Sequence, residues 1–209
     1  MRNIKLKSAL LVGAMVFSVS ALANTSGAWW NDIKNNRASS VQKAIQKGQD
    51  VNALNQGGQP PIMQAIRDKS MGVFDVLARD PNVNLNIENI NGETPLMYLA
   101  IIGDVRRAEG LIFKGAEVNR LGWSPLHYAA SMGHVDMVKM LLANGAFPNA
   151  PAAEGSSPIY MAVTSKNSEV VKALMAAGAD PKAVNQLGKS AIDLAKELKL
   201  PALVEIMLR

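Results

Sequence analysis

The sequence predicts an all-α repeat fold: a solenoid of helix-turn-helix units with short β-hairpin fingers between them. The first observation is the phrase SPLHYAA at residues 124–130, which recurs along the chain in weaker forms. The second residues of successive phrases are 34, 30, 33 and 33 residues apart; they are Pro61, Pro95, Pro125, Pro158 and Ala191. The second observation is that two short helical patterns separate each phrase from the next. Self-similarity at such a period is typical of stacked repeat units.

The first 23 residues differ from the rest of the chain and predict a secretory signal peptide. Three basic side chains, Arg2, Lys5 and Lys7, precede an uncharged, largely apolar run over residues 8–20. Small residues on either side of Leu22 then predict cleavage between Ala23 and Asn24. The apolar run is shorter than the ~20 residues that span a bilayer comfortably. An uncleaved membrane anchor is the alternative interpretation.

Removal of the leader would leave a chain of modest charge without cysteine. Three of the 22 basic residues leave with it, so 19 remain against 17 acidic residues, which gives no support to nucleic-acid binding. The cysteine count of 0 excludes a lipoprotein anchor and a disulfide-stapled scaffold. We therefore expect a periplasmic protein that uses the general secretory route and has no membrane association after cleavage.

Six repeat units are predicted, in chain order, from the mature start at Asn24. A truncated repeat at residues 24–58 caps the N-terminal end, and its Trp29, Trp30 and Ile33 can cover the apolar face of the next unit. Repeats follow at residues 59–92, 93–122, 123–155 and 156–188, and a C-terminal capping repeat occupies 189–209. In that cap a closing helix is expected over residues 201–208, with Leu203, Val204 and Met207 facing back.

Each phrase predicts the start of a first helix, and a second helix follows it. The predicted N-caps carry a side-chain oxygen and precede proline or alanine; they are Thr94, Ser124, Ser157 and Ser190. The second helices carry apolar residues at three-to-four spacing, as at Val135, Val138 and Leu142. Glycines after these helices are expected in the left-handed conformation; they are Gly48, Gly115, Gly145 and Gly178.

One finger is shorter than the others. From the asparagine (or its equivalent) before each finger to the glycine before the phrase, the separations are 6, 6, 3, 6 and 6 residues. The short finger joins Asn119 to Gly122 and predicts a notch beside Trp123. Loss of a solvated loop tip changes stability little, so neutral loss of these residues is an alternative to a functional notch.

The best-preserved unit runs over residues 122–149, as GWSPLHYAASMGH followed by VDMVKMLLANGA. With these landmarks the chain resembles the ankyrin-repeat family from about residue 38 to its end. Together with the leader, the resemblance implies an exported bacterial ankyrin-repeat protein that binds another protein and has no catalytic activity.

The residues themselves favour neither catalysis nor a bound cofactor. Both histidines, His127 and His134, are interpreted as structural, since in the resembled family the first hydrogen-bonds around the turn and joins repeats. No histidine pair has the spacing of metal ligands, and no serine lies in a nucleophile elbow. We expect no catalytic residue, no metal and no cofactor.

The resemblance also implies where a partner binds, namely the finger tips and the concave face of the first helices. Carried across by position, that face comprises Gln59, Arg67, Asp68, Glu93, Ile101, Ile102, Trp123, Ser131, Met132, Ser156, Thr164 and Ser165. Four of these are apolar and lie in two adjacent units: Ile101, Ile102, Trp123 and Met132. Such a patch is typical of an interaction site, and Arg120 in the short finger belongs to the same prediction. Packing of Ile101 and Ile102 between repeats is the alternative.

Together these observations predict a monomeric protein-binding module that acts in the periplasm through its concave surface. Stress defence and toxin immunity are both compatible with the resemblance. Two other functions stay open: a small-ligand carrier or enzyme accessory, and a structural scaffold tethered to the envelope by an uncleaved leader.

Overall fold

The computed structural model describes residues 27–209, and this part of the chain contains twelve α-helices. In chain order they are α1 Gly27–Lys34, α2 Ala38–Gln46, α3 Pro61–Arg67, α4 Met71–Leu77, α5 Pro95–Ile102, α6 Val105–Phe113, α7 Pro125–Met132, α8 Val135–Ala143, α9 Pro158–Ser165, α10 Ser168–Ala176, α11 Ala191–Glu197 and α12 Pro201–Leu208. The predicted signal peptide, with its cleavage site between Ala23 and Asn24, lies outside the described residues.

Consecutive helices pair into six helix-turn-helix units, and the units stack in chain order. The odd-numbered helices pack side by side in one layer, and the even-numbered helices form a second layer behind them. One pair falls within each of the six ranges expected from the sequence. The all-α repeat solenoid is therefore confirmed. In such an array each unit buries its apolar face against its neighbours rather than within itself.

Local signals at the phrase start the first helices where the sequence predicts. The N-caps of α5, α7, α9 and α11 are the four predicted hydroxyl residues, Thr94, Ser124, Ser157 and Ser190. Gly103, the residue after α5, caps the helix in the left-handed conformation with φ 72°. A Cβ at Gly103 would lie 2.9 Å from Nδ1 of His134, so the close approach of that ring also requires glycine.

Asparagine side chains join the loops that precede the fingers. Nδ2 of Asn119 donates to the carbonyl of Gly145 (2.8 Å), and its Oδ1 accepts from the N–H of Phe147 (2.9 Å). Equivalent pairs of bonds are made by Asn52, Asn86 and Asn149. Each amide therefore pairs backbone groups of the next unit and holds successive loops in register.

The fingers are tight turns rather than the β-hairpins expected from the sequence. In the first finger the N–H of Asn55 donates to the carbonyl of Gln59 (3.0 Å), and the N–H of Gly58 donates to the carbonyl of Asn55 (2.9 Å). Equivalent pairs close the fingers at 89–93, 152–156 and 185–189. Two bonds are too few for a ladder, so the described residues contain no strand and one isolated bridge, between Val184 and Ser190.

Terminal helices cover the two ends of the solenoid. Trp29 and Ile33 of α1 are buried against the core, and Trp30 packs beside them. At the other end α12 buries Leu203 and Met207. Within residues 27–209 the structure contains no helix long and apolar enough to cross a bilayer.

Candidate functional site

Trp123 lies directly before α7 and packs on two side chains of that helix. Its ring centroid is 5.2 Å from that of Tyr128 at an interplanar angle of 36°, and 5.7 Å from that of His127 at 56°. Both arrangements lie in the range of favourable aromatic pairs. The indole is half-buried, so α7 holds it in place while part of its surface stays accessible.

Glu93 occupies the equivalent position one repeat earlier, directly before α5. Its Oε2 accepts from the hydroxyl of Tyr98 (3.2 Å) and from Nδ2 of Asn89 (2.8 Å), and its Oε1 accepts from the hydroxyl of Tyr128 (3.0 Å). Because Tyr128 belongs to α7, this carboxylate joins two adjacent repeats. Glu93 is half-buried, and its orientation is set by three neutral donors.

The two tyrosines donate to Glu93 in their protonated form. Burial raises the pKa of Tyr128 to about 12, and the negative charge of Glu93 acts in the same direction. Burial also raises the pKa of Tyr98 above its ordinary value, and Glu93 contributes to that rise. Both hydroxyls are therefore neutral donors at physiological pH.

A notch of about 400 Å³ opens beside Trp123, where the finger is short. Its lining comes from the short finger, the fingers on either side of it and the first helices: Asn91, Gly92, Glu93, Met97, Arg120, Leu121, Trp123, Tyr128 and Ala153. Neither of the two bonds that close the other fingers has a counterpart in the described residues 119–122. The notch predicted from finger length is thus confirmed.

Arg120 forms one wall of the notch and ties the short finger to the preceding one. Its Nη1 donates to the carbonyl of Gly92, and its Nη2 donates to Oε1 of Glu88 (2.8 Å). The side chain was predicted to contact a partner. The structure places two of its donors on groups within the chain.

The four predicted apolar residues do not form one continuous contact. Ile102 and Met132, 44% and 53% exposed, lie at the C-terminal ends of α5 and α7, whereas Trp123 precedes the start of α7. Ile101 is half-buried, and its carbonyl accepts from Nε2 of His134 (2.9 Å). Both isoleucines therefore lie at the turn between helices, and Ile102 is the more accessible of the two.

Two tyrosines connect Trp123 with Ile102 and Met132. They were not among the site residues predicted from the sequence. Tyr98 lies one helical turn before Ile102, and Tyr128 one turn before Met132, so each pair shares a helix face. Both tyrosines are half-buried. They occupy the same place in successive phrases, and this recurrence was the signal available in the sequence. We call Trp123, Tyr98, Tyr128, Ile102 and Met132 the aromatic-apolar stripe.

Polar residues of the prediction border this stripe. Arg67 is exposed, Asp68 accepts from Nε2 of Gln64 (2.7 Å), and the Ser131 hydroxyl donates to the carbonyl of Tyr128 (2.9 Å). Further along the same face, Thr164 is exposed and Ser165 is half-buried.

Two residues expected on the exposed face are buried instead. Gln59 is 5% exposed and Ser156 is 3% exposed. Oε1 of Gln59 accepts from Nδ2 of Asn89 in the next finger (3.1 Å), and the carbonyl of Ser156 is the partner of His127 in the previous repeat (3.2 Å). The expectation of exposure was wrong for these two residues, because each takes part in a contact with a neighbouring finger or repeat, whereas Glu93 and Trp123 at the same position are half-buried.

Both histidines join repeats, a role that the resemblance implied for His127. Nε2 of His127 must carry the proton to bond the Ser156 carbonyl, so Nδ1 accepts from the N–H of Ser124 (3.2 Å). Burial lowers the pKa of His127 below its ordinary value. Within residues 27–209, no group of three or more histidine or acidic side chains is arranged to hold a metal ion.

Comparison with known proteins gives matches over most of the chain. The family described as "Ankyrin repeats (3 copies)" matches residues 31–121, 73–152 and 103–185. Human (Homo sapiens) neurogenic locus notch homolog protein 1 is 33% identical over 113 residues, and its counterpart from Xenopus laevis is 32% identical. The matched segment is 53% of this chain and 4% of the length of each of those proteins.

Solved structures show the same fold. An ankyrin repeat domain from Acinetobacter baumannii AYE superposes with a TM-score of 0.76 at 20% identity and covers 87% of this chain and 96% of its own. The ankyrin repeat domain of Bcl-3, a member of the IκB protein family, superposes with a TM-score of 0.73 at 23% identity and covers 87% and 81%. With the repeated phrase, the stacked helical pairs and the family match in agreement, the chain belongs to the ankyrin-repeat family, whose repeats generally mediate protein–protein interaction.

Proposed function

We propose that this chain is a non-catalytic binding module that recognises a protein partner through the face of its first helices. The observation that carries the proposal is the aromatic-apolar stripe across α5 and α7. Ile102 and Met132 expose about half of their surface, and polar residues such as Arg67 and Asp68 border them. An accessible apolar surface with a polar rim is characteristic of protein interaction sites.

The scaffold suits this role because it is largely preorganised. Trp123 packs on α7, and the hydrogen bond from Tyr128 to Glu93 joins adjacent repeats. Side chains that are already ordered lose little conformational entropy on docking, which favours affinity without folding on binding. Tryptophan and tyrosine are also the residue types that most often dominate binding energy.

We further propose that the module acts as a monomer in the bacterial periplasm, after cleavage between Ala23 and Asn24. The support is the leader pattern of residues 1–23 and the cysteine count of 0. A role in stress defence or toxin immunity would follow from the identity of the partner. N-terminal sequencing of the chain from the periplasmic fraction tests export: a start at Asn24 supports it, and retention of Met1 in the membrane fraction contradicts it.

The binding surface is tested by paired substitutions. We expect Trp123→Ala and Ile102→Glu each to reduce capture of the periplasmic partner by about tenfold or more, as for interface anchors. The matched control is Phe113→Ala in α6, which removes a side chain that is 92% exposed on the other layer. Pull-down with quantitative mass spectrometry measures capture, and circular dichroism checks helicity and melting. Equal loss in the control, or unfolding of both test variants, would contradict the proposed surface.

A further inference from the structure

We propose that the notch beside Trp123 receives a cationic side chain, lysine or arginine, from the protein partner. The inference rests on the proposed function and adds the chemistry of the contact. It depends on three features of the notch: an oriented carboxylate without an ion pair, an aromatic wall, and an opening left by the short finger.

The carboxylate of Glu93 is oriented but not neutralised. Its three partners are the Tyr98 hydroxyl, the Tyr128 hydroxyl and the amide of Asn89, all of them neutral donors. Among the described residues, Glu93 takes part in no salt bridge, whereas Glu88 nearby is paired with Arg120. A carboxylate offers about four acceptor sites, so one remains for a donor from outside.

The aromatic wall favours a cation over a neutral donor. Trp123 and Tyr128 both line the notch together with Glu93. Indole and phenol faces attract ammonium and guanidinium groups, and the attraction strengthens when the site is partly desolvated. Trp123 is half-buried, so its ring is partly shielded from water while a ligand can still reach it.

The remaining charge in the notch, Arg120, does not reverse this preference. Its guanidinium already donates to the Gly92 carbonyl and to Glu88. The ion pair with Glu88 offsets the positive charge of Arg120. The negative charge of Glu93 has no ionic partner among the described residues. An anionic ligand would meet this unpaired carboxylate at short range, whereas a cation would be paired by it.

The short finger provides the access. The notch is bounded by Asn91 and Gly92 in one finger and by Ala153 in the finger beyond, with only Arg120 and Leu121 between them. If this finger had the length of the others, it would project into this space. A slender side chain such as lysine or arginine, whose stem is apolar and whose head is charged, fits an opening of this kind.

The test is an NMR titration of the chain with capped tripeptides. The probes are acetyl-Gly-Lys-Gly-amide and acetyl-Gly-Arg-Gly-amide, with acetyl-Gly-norleucine-Gly-amide as the neutral control. We expect the two cationic probes to shift the indole N–H resonance of Trp123 and to bind about tenfold more tightly than the norleucine peptide. Equal affinity of all three peptides would overturn the proposal.

Two variants and a matched control complete the test. Glu93→Gln keeps the shape and removes the charge, and Trp123→Leu keeps an apolar wall without an aromatic face. Each should weaken binding of the lysine peptide several-fold, whereas Glu109→Gln, at an exposed position of α6, should leave it unchanged. Should Glu93→Gln lose helicity, the Trp123→Leu variant and the norleucine peptide still decide the question. Retained affinity in either folded notch variant contradicts the proposal.

The proposed function and this inference can fail separately. Loss of partner capture in Ile102→Glu, with capture unchanged in Glu93→Gln, would keep the binding surface and reject the cation site. Failure of the wild-type chain to capture any periplasmic protein, with selective binding of cationic peptides, would reject the periplasmic role and keep the chemistry of the notch.

Discussion

At the scale of single residues, the fourth position of the phrase decides how one repeat is joined to the next. In α7 it is His127, which bonds Ser124 in its own repeat and Ser156 in the following one. In α5 it is Met97, whose sulfur accepts from the N–H of Thr94 (3.3 Å) but can donate to no carbonyl. Other side-chain bonds join its repeat to the next, among them the bond from Tyr128 to Glu93.

The buried imidazole makes stability depend on pH. Because burial lowers the pKa of His127 in the folded state, the unfolded state binds the proton more readily, and stability falls as pH drops below about 6.5. We expect the free energy of unfolding in urea to decline from pH 7 to pH 5.5. His127→Gln should be less stable at pH 7 by roughly 1–3 kcal/mol and should show a smaller decline.

The control for this prediction is His134→Gln, which leaves His127 in place and should keep the decline. Proton NMR of the His127 ring checks the cause directly, because its titration midpoint in the folded protein should lie below the ordinary value. A midpoint above that value, or an unchanged decline in His127→Gln, would contradict the assignment.

At the scale of elements, the short finger changes the surface without changing the stack. Asn119 still joins its loop to the next one, although its finger lacks the turn that closes the others. Arg120 bridges from this finger to Gly92 and Glu88. The register of the helices is therefore set by the loops and the core, and the finger length sets the shape of the notch.

Lengthening the finger should close the notch and preserve the fold. We expect insertion of Gly-Ser-Gly between Arg120 and Leu121 to change the unfolding free energy by less than about 1 kcal/mol, since longer surface loops have a small entropic cost. The same insertion should reduce partner capture and cationic-peptide binding. Insertion of Gly-Ser-Gly after Leu187, in the exposed finger at 185–189, is the control, and equal effects of both insertions on binding would contradict the role of the notch.

At the scale of the whole molecule, stability is distributed along a stack of neighbours. α7 packs against α5 and α9 on its two sides, whereas α12 closes the end and packs against α10 and α11. In such an array each unit depends on the interfaces at its two sides. The terminal units should therefore open more readily than the central ones.

A matched pair of leucines tests this distribution. Leu126 in α7 is fully buried, and Leu203 in α12 is 4% exposed. We expect Leu126→Ala to lower the global unfolding free energy by about 2–5 kcal/mol. Leu203→Ala should mainly reduce hydrogen-exchange protection in α11 and α12 and leave α5–α8 protected. A uniform loss of protection across all helices in Leu203→Ala would contradict this local effect.

The elements that could be predicted are those governed by local chemistry. Thr94, Ser124, Ser157 and Ser190 occupy the N-cap positions that the phrase predicts, and the spacing of apolar residues marks both helices of each pair. The closing helix was expected over residues 201–208 and is Pro201–Leu208. The notch followed from a count of residues in one finger.

Tertiary structure decided how these pieces contact one another. The burial of Gln59 and Ser156, the tie from Arg120 to Gly92 and the bridge from Glu93 to Tyr128 all involve residues about 30 positions apart. The sequence pattern placed Trp123 and Met132 in one apolar patch. The structure separates them along α7 and connects them through Tyr128. The sequence by itself therefore determined the repeat, its caps and its irregular finger, since these depend on neighbouring residues. The arrangement of charge and aromatic rings at the notch depends on packing between repeats, which only the folded stack defines.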